Sequence, residues 1–363
     1  MDCRVLTLSL LVLGSLSGIV VGQPPAATKP PVASSPAARK MLLDAFGRSK
    51  VAKTADDVTP IIELCERALA DQLTPANKIY GEQLLGWAYN RRGELFAEQA
   101  ATFFEQGRER KANEFDALAL SEFEAAIKFD ATKWKPFHNR GVSLALHGRL
   151  DDALLDFNRV LEMSPDYANA WFNRGELMFE KRRYEDAAAD YSQALKRKPD
   201  DAMSLAGRGS AYLESGKLRE ALADLDRAVA LDANQFAARV RRGDARQLAK
   251  QWDAAAEDYR QAIKQAAQFA PAYRGAAWLM ATCPEERYRN PELALRTAQK
   301  AVELTGSHDY EALEALAAAQ ANTGEFEAAV KSAEQALALA PDDRKDAVNA
   351  RKEVYAANKP YRQ

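Results

Sequence analysis

The stretch WFNRGELMFEKRRYEDAAADYSQALKRKPD, residues 171–200, decides the fold. Its Arg174-Gly175 pair belongs to a series, Arg140-Gly141, Arg174-Gly175, Arg208-Gly209 and Arg242-Gly243, in which each pair stands at i+34 from the one before. A fixed period of this length signals stacked supersecondary units, none of which can bury its apolar face alone. With Trp134 as position 1 of a unit, position 20 is Ala153, Ala187, Ala221 and Ala255, and position 24 is Phe157, Tyr191, Leu225 and Tyr259. Position 27 is Val160, Ala194, Ala228 and Ala262. Small residues at 8, 20 and 27 let two antiparallel helices approach to about 8–10 Å, and the larger residue at 24 fills the space beside them. Each unit therefore reads as a helical hairpin.

The turns agree. Leu146-His147-Gly148-Arg149-Leu150 and Glu214-Ser215-Gly216-Lys217-Leu218 each centre on a glycine that can take the left-handed conformation ending a helix. Asp151 and Asp152 then place acidic side chains in the first turn of a second helix, where the helix dipole favours them. Pro165 and Pro199 close their units, because proline cannot continue a helix but tolerates the start of one. No run of alternating β-branched residues suggests a sheet, so the chain reads as all-α.

These residues resemble the tetratricopeptide repeat, whose pattern runs W-x2-L-G-x2-Y, then A-x3-F, then P. The clearest copy here reads Trp171-x2-Arg174-Gly175-x2-Met178, Ala187-x3-Tyr191, Pro199. Arginine before the glycine is the consistent departure, and it looks like the N-R-G variant of bacterial members, with Asn139 and Asn173 completing two copies. The resemblance implies a right-handed α-solenoid of stacked antiparallel helix hairpins. Units fall at 134–167, 168–201, 202–235, 236–271 and 310–343. A degenerate copy at 272–307 carries a longer connection around Cys283-Pro284 and Asn290-Pro291, with Ala294 and Ala301 as its small positions. It resembles a WLMATCP unit recurrent in secreted bacterial repeat proteins. Residues 344–358 are polar, with Ala347, Val348, Val354 and Tyr355 spaced for one face, as expected of a cap helix over the last hairpin.

A second periodic series accompanies the arginines. Asp156, Asp190, Asp224 and Asp258 each stand at i+16 from an arginine, which puts one charge on each helix of every hairpin. This predicts a ladder of Arg/Asp pairs, with an arginine row binding an anionic ligand as the alternative.

Residues 40–130 precede the regular units. Leu85-Gly86-x2-Tyr89 and Gly93 mark a first helix, and Ala119, Phe123 and Ala126 mark its partner. With Gly93 at position 15, the alanine of position 20 should follow at i+5, whereas Ala119 stands at i+26, an insertion of 21. Both helices are expected to be long, with a bend near Gly107. Phe96, Phe103, Phe104 and Phe115 then either pack on one another or on the helix from Val58 to Leu73, or form an arm that meets a partner.

The first residues belong to a different architecture. Val5 to Val21 is apolar or small throughout, follows Arg4 and ends at a small-residue cleavage site before Gln23, so 1–22 reads as a secretory signal. The alternative is an uncleaved anchor. Residues 23–39 form a Pro/Ala-rich linker too poor in apolar bulk to fold. An exported protein is expected, periplasmic or extracellular, with no stable membrane insertion after signal cleavage. Cys65 and Cys283 sit toward opposite ends of the array and read as small buried hydrophobes.

Lysine and arginine number 50 against 52 acidic residues, a net charge of -2, so no field that would collect nucleic acid is implied. His138, His147 and His308 show no metal-ligand spacing, and no phosphate-binding glycine pattern occurs. No catalytic residue, metal or cofactor follows from these residues. What remains is binding. In the tetratricopeptide family, positions 2, 5, 6, 9, 12 and 13 commonly face a ligand on the concave side. The resemblance therefore implies a peptide-binding row at Lys135, His138 and Asn139, then Asn169, Phe172, Asn173, Glu176 and Phe179, then Arg241 and Asp244. Met203, Ser210, Glu214 and Gln247 occupy the same register. This mixture suits an extended peptide or a partner helix. The favoured function is a non-catalytic protein–protein interaction scaffold. The alternatives are an assembly subunit of a cell-envelope complex that uses the inserted arm or the array ends, an accessory domain for polysaccharide handling, and an unrecognised enzyme.

Overall fold

The structure, a computed structural model, describes residues 23–25 and 35–363. The expected signal at 1–22 lies outside the described residues, as does most of the linker. The linker is shorter than composition suggested. Helix α1 (Pro36–Ser49) already begins at Pro36, whose fixed φ suits a first helical position, and the Ser35 side chain accepts the Ala38 N–H. Ala38 is fully buried, which ties this start to the core.

All regular structure among the described residues is helical, and it divides into two compact units between Leu177 and Met178. The first unit holds α1, α2 (Ala55–Leu69), α3 (Pro75–Glu105), α4 (Glu109–Phe129), α5 (Trp134–Leu146) and α6 (Leu150–Met163). Helix α7 (Ala168–Glu180) contains the division. The second unit continues with α8 (Tyr184–Arg197), α9 (Ala202–Glu214), α10 (Leu218–Leu231), α11 (Phe236–Leu248), α12 (Trp252–Gln265) and α13 (Ala270–Thr282). After a 3-10 turn at Glu286–Tyr288 come α14 (Pro291–Thr305), α15 (Tyr310–Thr323), α16 (Phe326–Leu339) and α17 (Asp342–Ala356).

Within each unit consecutive helices pack as antiparallel hairpins, and in the second unit the first helices α9, α11, α13 and α15 also lie side by side. The periodic residues form the core. Ala153, Ala187, Ala221 and Ala255 are fully buried, as are Leu225 and Tyr259 at position 24. The glycine at position 8 is required by that larger neighbour: a Cβ on Gly209 would lie 2.7 Å from Leu225, and one on Gly243 would lie 2.8 Å from Tyr259. Position 15 turns left-handed in five hairpins, the one that starts at Tyr310 included through Gly324 (φ 88). Gly148 (φ 73) and Gly216 (φ 77) do so as expected, but Arg182 (φ 60) and Lys250 (φ 58) adopt the same conformation without glycine. That strain, roughly 1–2 kcal/mol per residue, is carried by the packed helices on either side.

The arginine ladder is present and does more than its spacing suggested. Arg140 grips Asp156 through two hydrogen bonds of 2.7 and 2.6 Å, Arg208 grips Asp224 at 2.6 and 2.8 Å, and Arg242 grips Asp258 at 3.0 and 2.6 Å. The fourth pair, Arg174 and Asp190, is divided between the two units. The same arginines also reach back into the preceding repeat: Arg174 donates to Asn158 at 2.7 Å, Arg208 to Ser192 at 3.2 Å and Arg242 to Asp226 at 3.1 Å. Arg208 and Arg242 thus each tie their own hairpin shut and fasten it to the preceding one. Hydrogen bonding to Asp156 and to Asp224 holds the Arg140 and Arg208 guanidinium groups above their ordinary range.

The long hairpin α3/α4 corrects the expected register. A Cβ on Gly93 would lie 2.7 Å from Phe123, and Arg92 clasps Glu122 at 2.9 and 2.8 Å. Arg92-Gly93 and Glu122-Phe123 therefore repeat the relation of Arg140-Gly141 to Asp156-Phe157, so Gly93 occupies position 8, not 15. The regular step from that glycine to the alanine at position 20 is i+12, as from Gly141 to Ala153, and here it is i+26, so the insertion is 14 long. At 3.6 residues per turn this adds about two turns to each helix. The bend falls at Gly107 (φ 70). The inserted aromatics pack on one another, with Phe115 centred 5.9 Å from Phe96 and 5.2 Å from Phe103. Arg108 covers the outer face of Phe103 at 4.8 Å.

Candidate functional site

Several residues expected to face a ligand are instead consumed inside the first unit. His138 and Asn139 are 0% and 1% exposed. The Asn173 amide lies 3.1 Å from His138 Nε2, and His138 Nδ1 lies 3.4 Å from Asn139 Oδ1. Asn139 then donates to Asn90 Oδ1 at 3.2 Å, and Asn90 donates to the buried carboxylate of Glu94 at 2.6 Å. Arg91 completes the chain on Glu94 at 3.0 Å. The directions are mutually consistent when His138 is neutral, with its proton on Nδ1. Burial enforces that state by pushing the imidazole down to about 4. The expectation that His138 and Asn139 contact a peptide is corrected: a buried donor relay, and not a ligand, satisfies them.

The remaining first-unit positions are nearer the surface. Lys135 is half-buried with its ammonium 5.8 Å from the Trp134 ring. On α7, Asn169, Asn173 and Glu176 are half-buried, whereas Phe172 is only 8% exposed. Phe179, in the second unit, is half-buried and meets Tyr184 edge-on at 5.3 Å.

In the second unit the expected residues gather into a charged network on the first helices. Arg241 donates to Glu214 at 2.5 Å and reaches Asp244 at 3.4 Å. Asp244 accepts the Tyr259 hydroxyl at 2.8 Å and faces Arg274, which pairs with Glu311. Burial pushes the Asp244 carboxyl up, against the pull of Arg274 and Arg241. Burial also opposes the charge of Glu214, but Arg241, Arg344 and Arg274 together hold it below the usual carboxylate range. Arg241 and Asp244 thus serve each other and their neighbours. A peptide would meet them as a preformed, nearly neutral cluster.

An occupant sequence reasoning did not foresee lies across this face. Helix α17 begins at Asp342 and covers the last hairpin, as a cap should, through the buried side chains of Val348 and Tyr355. Its arginines, however, reach the first helices. Arg344 donates to Glu214 at 2.7 Å, Arg351 donates to Glu314 at 2.7 Å, and Asp343 pairs with Arg182. Beyond α17 the chain continues over the same face. Tyr361 lies tilted against Trp278 with ring centroids 5.9 Å apart, and the Arg351 guanidinium lies 5.6 Å from that indole. Arg362 donates to Asn322 at 2.8 Å, and Gln363 donates to Gln247 at 3.2 Å and to Thr282 Oγ1 at 2.7 Å. Counted from the start of each first helix, Trp278 is position 9, Gln247 position 12, and Thr282 and Asn322 position 13.

Comparison with known proteins agrees with this architecture. Family models described as tetratricopeptide repeat match residues 138–202 and 207–272, and residues 310–343. Over these residues the chain carries tetratricopeptide repeats. Tetratricopeptide repeats bind proteins or peptides, and the chain is accordingly a protein–protein interaction scaffold. Among solved structures it is similar to YrrB, described as a tetratricopeptide-repeat protein with an unusual peptide-binding site, at 25% identity and TM-score 0.41, covering 53% of this chain and 96% of that one. A tetratricopeptide-repeat protein from Parabacteroides merdae ATCC 43184 gives 16% identity and TM-score 0.49 over 73% of this chain and 98% of its own. Yeast Tom70 gives 15% identity and TM-score 0.45 over 96% of this chain and 69% of its own. No curated protein matches. In the second unit the residues after α17 touch Trp278, Gln247, Thr282 and Asn322, at positions 9, 12 and 13 of their first helices.

Proposed function

We propose that the chain is a non-catalytic scaffold that takes a peptide or a helix on its concave face, and that it works after export, in the periplasm or outside the cell. One observation carries the binding reading. Positions 9, 12 and 13 of the second unit already hold a helix with an extended continuation, so the face has the shape and polarity to take such a ligand. Export rests on the apolar run from Val5 to Val21 and the small residues that close it. No helix among the described residues is long and apolar enough to cross a membrane.

The assembly-subunit reading would place the contact on the α3/α4 arm or on the array ends. Against the arm, Phe96, Phe103 and Phe115 already pack together within it. A photo-crosslinking amino acid at Asn169, on the ligand-facing register of α7, is expected to capture a protein partner in cells. The same group at Phe104, near the arm tip, is expected to capture little. Partners captured from Phe104 and none from Asn169 would move the function to the arm.

A further inference from the structure

The degenerate hairpin ends its first helix in an unusual way. Helix α13 stops at Thr282 and is followed by Cys283-Pro284, so its last four carbonyls lack a continuing turn to bond them. Two are satisfied locally: Leu279 O accepts the Cys283 N–H at 3.1 Å, and Met280 O accepts the Asn290 N–H at 3.3 Å. The other two are satisfied from a distant part of the chain. Ala281 O accepts from the Arg362 guanidinium at 2.9 Å, and Thr282 O accepts the Gln363 backbone N–H at 3.0 Å. The end of α13 is therefore an acceptor site that opens on the ligand face and is filled by an arginine-amide dipeptide.

The rest of the segment extends the same chemistry. Groove carboxylates on Glu214 and Glu314 receive Arg344 and Arg351, and the Trp278 indole receives Tyr361. Only Val348 and Tyr355 of α17 are buried, so few apolar contacts anchor the helix and most of its hold is polar. A segment held in this way is exchangeable against another of equal chemistry.

Building on the groove reading above, we propose that residues 342–363 are an internal ligand that closes the second unit's groove. The partner that opens it presents a basic helix followed by an extended aromatic-arginine-amide sequence. Its arginines replace Arg344 and Arg351 on Glu214 and Glu314, its aromatic ring replaces Tyr361 on Trp278, and its donors cap Ala281 and Thr282. The Glu214 and Glu314 carboxylates favour this class over acidic or wholly apolar peptides.

A fluorescein-labelled synthetic peptide of residues 342–363 tests the proposal when titrated into the full chain and into its Arg344→Glu/Arg351→Glu variant. Charge reversal sets the internal segment against Glu214 and Glu314 and leaves the groove residues intact. The peptide is expected to bind the variant at least about tenfold more tightly than the unaltered chain, because apparent affinity scales with the fraction of open groove. A peptide carrying the same two reversals is expected to bind neither. If the double variant loses helical signal, the Tyr361→Ser/Arg362→Ala variant, which keeps α17, must give the same order of affinities. Equal affinity for the open and closed chains, or no binding to either while both stay folded, would overturn the proposal. Dimers of the unaltered chain that exchange this segment would overturn the foreign partner in favour of a second copy. The Asn169 crosslink reads the first unit, so it separates failure here from failure of the scaffold reading.

Discussion

Replacing Tyr259 with alanine is expected to destabilise the second unit by about 3–5 kcal/mol, the largest effect of any single side chain considered. The ring is fully buried. It fills the space between two glycines, since a Cβ on Gly243 would lie 2.8 Å from it and one on Gly275 would lie 2.3 Å from it. The backbones around those glycines are fixed by their own helices and cannot close the cavity. The hydroxyl adds a polar share, bonding Asp244 at 2.8 Å and Gln247 at 2.5 Å. Tyr259→Phe keeps the packing and is expected to cost only about 1–2 kcal/mol, chiefly by stripping a donor from half-buried Asp244. Urea unfolding followed by helical circular dichroism checks both numbers. Equal losses for the two variants would place the energy in the hydroxyl and contradict the packing account. Because stacked repeats depend on their neighbours, the alanine variant should also loosen α11 and α13, seen as faster amide exchange there.

Acidification is expected to weaken the first unit through His138, by about 3 kcal/mol between pH 7 and pH 4. Burial holds this imidazole at about 4, against 6.5 for the free side chain. The sign follows from which state takes the proton first. Above pH 6.5 neither state is protonated and the stability is complete. As pH falls from 6.5 toward 4 the unfolded chain binds the proton and the folded chain does not, so stability is lost across that window. Protonation would also put a second donor against the Asn173 amide and break the relay that runs to Glu94. Other groups titrate in the same range, so the comparison is with His138→Gln, which removes this proton and leaves the others. The difference between the two urea midpoints should grow toward acid in favour of the variant. A constant difference across pH 7 to 4 would mean that His138 is not held neutral.

The glycine and alanine periods disclosed the hairpins because the chemistry they report is local: a small residue where two backbones meet. The ladder was legible for the same reason, since arginine and aspartate recur as identical residues at a fixed offset. Its inter-repeat half was hidden because the second acceptor changes type, from Asn158 to Ser192 to Asp226. The arm's repeat glycine lies seven residues from the one the sequence points to, because Leu85-Gly86-x2-Tyr89 resembles the repeat more closely than Arg92-Gly93 does, although the packing of Gly93 on Phe123 decides it. His138 and Asn139 misled because polar residues on a buried relay and polar residues facing a ligand share one helical period. The contact of Gln247 with Gln363 joins positions far apart in the chain, and no short-range pattern encodes it.

The second-unit groove is proposed here as a ligand site that the chain's own residues 342–363 fill. Its most direct test places Gln247→Cys and Gln363→Cys in one full chain and bridges them with a short bis-maleimide. Cys3 is replaced by serine, the native Cys65 and Cys283 are buried, and burial pushes the Cys65 thiol up to about 12, so no native thiol competes for the reagent. The account predicts one intramolecular bridge between the two introduced thiols in monomeric protein, lost when Arg344→Glu and Arg351→Glu are added. A chain that stays folded yet forms no bridge, or bridges only between two copies, would contradict it.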